Sequence, residues 1–154
     1  MSTTPPWLDE TEANAWRGFL SVHAQMTARL HRDLQASSGL SIADYEILVV
    51  LTDADVPDQS VRMFELGEQV QWEKSRVSKQ VSRMEARGLV ARRDCPDDRR
   101  GAFVELTDAG RAAIEAAAPT HVALVRQLFL DPLSREQVEA LGAITQAVTA
   151  RLSI

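Results

Sequence analysis

The residues of this chain best suited to chemistry are cationic. Between Lys74 and Arg100 stand nine Lys/Arg (Lys74, Arg76, Lys79, Arg83, Arg87, Arg92, Arg93, Arg99 and Arg100) against four acids (Glu85, Asp94, Asp97 and Asp98). That stretch carries +5 while the 154-residue chain carries −5, so the remainder carries −10. One basic segment on an acidic body is the electrostatic footprint of a protein that meets a polyanion. An ordinary solvated helix can show the same clustering, so charge alone leaves both readings open. Catalytic chemistry finds less to work with. There is no Gly-rich phosphate loop, no Cys/His metal spacing and no nucleophile motif. His23 and His31 are eight residues apart on one predicted helix and cannot share a metal there. Neither an enzyme nor a cofactor is expected.

The basic segment has internal order. A helix is predicted over 73–87, with Val77, Val81 and Met84 at steps of four and three forming its buried stripe. Arg76, Lys79, Gln80 and Arg83 are then expected on the opposite side, with Ser75 and Ser78 at the flanks. These side chains suit a major groove: Arg forks onto guanine, Gln onto adenine, Ser adapts, and Lys anchors to phosphate. A shorter helix is predicted just before, over 62–70, so tightly joined that the pair reads as a helix-turn-helix. Trp72 stands in the joint, either beneath the second helix or against a DNA backbone. After Gly88 the texture changes. Short strands are expected over 89–93 and 102–106, with Asp98, Arg99 and Arg100 at the tip between them. A narrow arginine-bearing arm suits the minor groove, and Asp98 beside Arg100 stiffens it.

These groups must be held by the rest of the chain. A long helix is predicted over 8–37, ended by Gly39. A short buried helix begins at Ser41, and 53–60, with Pro57, reads as loop. Beyond the hairpin, Thr107 caps a helix running to about 130 that Pro119 is expected to kink or split. Ser134 caps a last helix whose apolar stripe is Val138, Leu141, Ile144, Val148 and Leu152. The expected class is mainly α with a small β-hairpin wing. Its parts are an N-terminal tail and long helix (1–37), a winged helix-turn-helix lobe (38–106) and C-terminal helices (107–154). The two ends are long and amphipathic, with little else in the chain to cover them.

Asp98 to Thr107 matches the wing signature D-x-R-x5-L-T at every defined position, and Ser75-Arg76-Val77-Ser78 with 84–90 matches a recognition helix and its exit. On these residues the chain, from about Trp16 to Leu152, resembles the MarR (multiple antibiotic resistance regulator) family of transcriptional regulators. The resemblance implies a homodimer built from helices at both chain ends, over 16–34 and 122–152. It implies a recognition helix in the major groove and a wing over 95–101 in the minor groove of a near-palindromic double-stranded DNA operator. Carried over by position, Ser75, Arg76, Ser78, Lys79, Gln80 and Arg83 contact groove or phosphate, Arg100 is the wing-tip arginine oriented by Asp98, and Arg99 neighbours a phosphate. Many members are repressors that release DNA when a small, often aromatic or phenolic and acidic, ligand enters between the dimer helices and the DNA-binding lobe. Trp16, Phe19, His23, Met26 and Tyr45 are the candidates for such a cleft here, although their spacing is equally that of core and dimer contacts. The oxidant-sensing relatives' cysteine near the first helix is missing. The one cysteine, Cys95, reads as a tolerated small residue, although Arg92 and Arg93 beside it would favour a thiolate.

Composition sets the outer bounds. Apolar residues make up 45% and charged residues 25%, which permits a packed core. No stretch reaches the length of a membrane span and Met1 to Trp7 is no signal peptide, so a cytoplasmic protein with no membrane partner is expected. A winged helix that binds protein is the competing class. Such a module would be expected to lack both the wing-tip arginine and a polar recognition face.

Overall fold

The computed structural model describes residues 6–53, 57–94 and 101–153. Its elements run α1 (Glu10–Ser38), α2 (Ile42–Thr52), a 3-10 turn (Pro57–Gln59), β1 (Ser60–Arg62), α3 (Met63–Val70), α4 (Lys74–Ala86), β2 (Val90–Asp94), β3 (Ala102–Leu106), α5 (Asp108–Val125), a π-helical turn (Arg126–Leu130) and α6 (Arg135–Leu152). The chain is thus mostly helical around a small antiparallel sheet, the expected class.

Local chemistry places the helix starts. Asp9, Ser41 and Ser134 each accept from the backbone N–H three residues on. Glu12, Asp44 and Gln137 reach back to the cap in turn, so α1, α2 and α6 all open with a reciprocal capping box. Gly39 ends α1 in the left-handed conformation at φ 71°. At the end of α4, Gly88 (φ 76°) turns the chain so that Leu89 N–H reaches the Met84 carbonyl at 3.0 Å and Gly88 N–H the Glu85 carbonyl at 2.9 Å. This pair of bonds aims β2 back along the helix.

The sheet has the order β1-β3-β2, with Val61 opposite Val104 and Arg92 opposite Val104 on the other side. The strand β1 lies at the end of a segment read from sequence as loop. Three residues are too few to show an alternating pattern, and only the pairing with β3 makes them a strand. Of the kink or split expected at Pro119, the split does not occur: α5 runs continuously through it. The ring removes one backbone donor, while Ile114, Ala117 and Leu124 are buried on both sides of it and hold the helix through that turn. The departure from α geometry comes later, at the π turn, where Asp131 N–H bonds the Arg126 carbonyl at 2.8 Å.

The core joins Ile47, Leu48 and Leu51 of α2, Leu66 of α3, Val77, Val81 and Met84 of α4, and Val61, Val90 and Val104 of the sheet. Leu34 of α1 and Ile114 and Ala117 of α5 close it. One contact is unusually tight: a Cβ on Gly110 would lie 2.0 Å from the Leu89 carbonyl oxygen. There Thr107 Oγ1 donates to the Gly88 carbonyl at 2.6 Å and accepts from Gly110 N–H at 3.0 Å, locking the start of α5 onto the exit of α4. By contrast α6 buries none of its residues. Ile144, Val148 and Leu152 stay exposed, as do Trp16 and Phe19 on α1 and Val122 on α5. Among the described residues no single helix is long and apolar enough to cross a membrane.

Candidate nucleic-acid interface

Helices α3 and α4 meet across three residues. Gln71 takes a left-handed conformation (φ 57°), and Trp72 N–H returns to the Gly67 carbonyl at 3.0 Å. The turn swings α4 so that one face packs on the core and the other is open. Ser75, Arg76, Lys79 and Arg83 are exposed on the open face and Ser78 is half-buried, as expected from sequence.

Gln80 is the exception. It was expected on the open face but is buried, with 5% of its surface accessible. Position 80 lies three after Val77 and four before Met84, so helical geometry puts it in the buried stripe. Its partner lies across the core. Gln80 Nε2 donates to Asp44 Oδ1 at 2.6 Å, and its Oε1 accepts from Arg83 Nη2 at 2.8 Å. Asp44, 2% exposed, also accepts at Oδ2 from Ser41 N–H (2.8 Å) and from Arg87 Nη1 (2.6 Å). Arg87 Nη2 goes on to the Gly39 carbonyl at 2.9 Å. A buried carboxylate is tolerable only when its oxygens are satisfied in this way. The network ties the end of α1 and the start of α2 to the C-terminal half of α4, and it holds Arg83. Sequence reading assigned Asp44 no part in this face. The available signal was a carboxylate one position before a core aromatic, on a mostly apolar helix.

Two further contacts bear on the same face. The Arg76 guanidinium carbon sits 4.0 Å from the centroid of the Trp72 ring. Arg92 on β2 donates through Nη2 to the Ser78 carbonyl (2.8 Å) and Ser82 Oγ (2.6 Å), while its N–H bonds Glu85 Oε2 at 2.8 Å. Helix and wing base are therefore latched. Arg93 pairs with Glu105 at 2.6 Å, and Arg62 and Arg93 each lie 5.1 Å from the Phe103 ring. The wing tip, with Asp98, Arg99 and Arg100, and Cys95 lie outside the described residues.

The five candidate cleft residues do not converge. Trp16, Phe19 and His23 stack along the outside of α1, with ring centroids 5.7 and 6.3 Å apart. Their spacing of three and four places them on a face that this chain leaves open. Met26 lines a separate hollow with Arg29 and Leu128. Tyr45 alone faces the seam between α2 and α5, where a cavity of about 470 Å³ is lined by Leu30, Ile42, Tyr45, Glu46, Val49, Val50, Gln69, Val70 and His121. Sequence reading assigned His121 no place there. Its ring lies 4.2 Å from that of Tyr45, and its buried Nδ1 has no hydrogen-bond partner among the described residues. Burial lowers the His121 pKa, with Asp33 acting in the opposite direction. Burial also raises the Tyr45 hydroxyl and the Glu46 carboxyl, the latter partly offset by the Arg76 charge. Among the described residues no three His, Cys, Asp or Glu gather as a metal site would need.

Comparison with known proteins places this arrangement. Residues 38–101 match a family model described as MarR family. The structure is similar to that of AbsC, a MarR family transcriptional regulator from Streptomyces coelicolor, with 40% identity, a TM-score of 0.88, and coverage of 96% of this chain and 98% of that one. It is also similar to Sco3205, a MarR family transcriptional regulator from the same organism solved in complex with DNA. There the identity is 37% and the TM-score 0.91, with 99% of this chain and 94% of that one covered. The HTH-type transcriptional regulator YdgJ of Bacillus subtilis (strain 168), itself uncharacterised, is 29% identical over 103 residues. That match takes in 67% of this chain but only 60% of YdgJ's own length.

Proposed function

The chain belongs to the MarR family of transcriptional regulators, and on that premise we propose that it is a homodimeric repressor that reads a near-palindromic DNA operator and releases it to a small ligand. In this reading α4 (73–87 as expected from sequence) enters the major groove and the wing (95–101) the minor groove. The observation that carries it is the face of α4. Ser75, Arg76, Lys79 and Arg83 are exposed to solvent, while the opposite face is fixed by the core and by the Asp44–Gln80–Arg87 network, which also holds Arg83 through Gln80. A rigid polar and basic helix face is what base-edge reading requires. Gln80 supports the face from beneath rather than contacting DNA. Arg100, Asp98 and Arg99 keep the roles that the wing signature implies.

Support for the dimer comes from the apolar surfaces left open on α1, α5 and α6. A single chain that exposes Trp16, Phe19, Val122, Ile144 and Val148 has a large area to cover. A second copy covers it with the same surfaces, and the resulting two-fold axis matches a palindrome. A dimer seated on two half-sites occludes that DNA, which is repression where the site overlaps a promoter. Ligand release rests on the cavity between α2 and α5. Tyr45 and His121 there offer aromatic surface to an aromatic or phenolic guest. The protein works beside the chromosome, in the cytoplasm.

Selection of duplexes from a randomised library, followed by the mass of the complex, tests the reading. A near-palindromic consensus bound by two chains is expected. Enrichment of no sequence, or one chain per duplex, contradicts it.

A further inference from the structure

We propose that Trp72 is a positioning residue: its indole holds the Arg76 guanidinium in the attitude that decides which base Arg76 reads. The inference rests on the DNA-reading function above and adds to it a residue outside the recognition helix.

Trp72 is anchored in both backbone and side chain. It lies in the turn between α3 and α4, its N–H bonded to the Gly67 carbonyl, and its half-buried ring packs against the core. A Cβ on Gly67 would lie 3.3 Å from the Trp72 carbonyl oxygen, so the turn sits close against α3. The ring is thus a fixed shelf beside the first turn of α4. Arg76 lies four residues on, in the part of a recognition helix that reaches base edges. Its guanidinium carbon is 4.0 Å from the ring centroid. Stacking uses the flat face of the guanidinium and leaves its in-plane N–H edge free, which is the edge that forks onto guanine O6 and N7. An exposed arginine without such a shelf samples many rotamers and must be ordered when DNA arrives. Arg76 also has a competing attraction. Its charge acts on Glu46 of α2, a residue that lines the cavity between α2 and α5.

The test measures binding to a selected site and to its single-base variants by wild type, Trp72→Leu, Trp72→Phe, Arg76→Ala and the double variant Trp72→Leu/Arg76→Ala. Melting temperature is recorded for each. Arg76→Ala identifies the base pair that Arg76 reads. Trp72→Leu is expected to lower discrimination at that base pair alone, by about twofold to fivefold, the range of an exposed cation–π contact. Trp72→Phe retains most of it, and the double variant is no worse there than Arg76→Ala alone. The inference is overturned if Trp72→Leu discriminates as wild type does, or weakens all sequences equally, as a merely structural residue would. It is also overturned if the double variant loses the two effects additively. Should Trp72→Leu fail to fold, Trp72→Phe decides: its smaller ring must give a measurable loss confined to the same base pair. A wild type that selects no sequence removes the functional reading itself, and this inference with it.

Discussion

Asp44→Ala is the most severe test of how the DNA-facing helix is held. The substitution removes the acceptor for Gln80 Nε2 at 2.6 Å, for Ser41 N–H at 2.8 Å and for Arg87 Nη1 at 2.6 Å. These three losses are unequal. The Arg87 side chain is 44% exposed, so its freed guanidinium turns to water and little is lost there. Gln80 is buried and cannot, so its amide donor carries the full cost of an unmade bond, about 1–3 kcal/mol. Loss of the capping box at the start of α2 adds about 1 kcal/mol. The expected total is about 3 kcal/mol, which for a chain of this size lowers the melting temperature by on the order of 10 °C. Arg87→Ala works in the other direction. It strands the buried carboxylate without its cation, and about 3 kcal/mol is expected there too. Because both variants break one network, the double variant falls short of their sum by about 1–3 kcal/mol. Denaturant unfolding at one fixed protein concentration measures all three. A cost below about 1 kcal/mol for Asp44→Ala, or strict additivity, refutes the claim that this network fixes α4.

Gly110→Ala should cost about 2–3 kcal/mol in the same assay, since the new methyl meets the Leu89 carbonyl at 2.0 Å with no room to yield; near-wild-type stability contradicts that packing. Burial lowers the His121 pKa, so the unfolded chain binds more protons below about pH 6.5. Its contribution is fully present above that pH and is lost as the pH falls through the folded value. His121→Phe should therefore flatten the fall in stability as the pH drops below about 6.5, and an unchanged slope excludes the effect. Lys79→Ala should weaken all DNA sequences alike and reduce the salt slope of binding by about 1, whereas Arg100→Ala should cost about 1–3 kcal/mol and relax specificity at the base pairs under the wing. Indistinguishable profiles for the two would remove the division between anchoring and reading.

The parts of this architecture that were legible in the sequence are those set by local chemistry. The caps at Ser41, Thr107 and Ser134, the glycines at 39 and 88 and the apolar steps of α4 act within a few residues, and all lie where expected. What escaped depends on partners distant in the chain. Gln80 is polar, and its buried amide donor is satisfied by Asp44, thirty-six residues earlier. The strand β1 exists because β3 pairs with it. Pro119 is carried by burial on both sides that its own neighbourhood does not announce. Of the candidate cleft residues, Tyr45 faces the cavity and meets His121, a contact between α2 and α5 that spacing within one helix cannot reveal. Of the basic residues, Arg87 and Arg92 are not idle surface: they fasten α4 to the rest of the lobe.

The central claim is that this chain reads a specific DNA sequence through a phosphate-anchored face. Its most direct test is binding of the purified protein to a duplex from upstream of its own gene, at two salt concentrations and against a scrambled competitor. The account predicts binding that survives the competitor and weakens steeply as salt rises. Equal binding to the scrambled duplex, carried into a library selection that enriches no site, would contradict it.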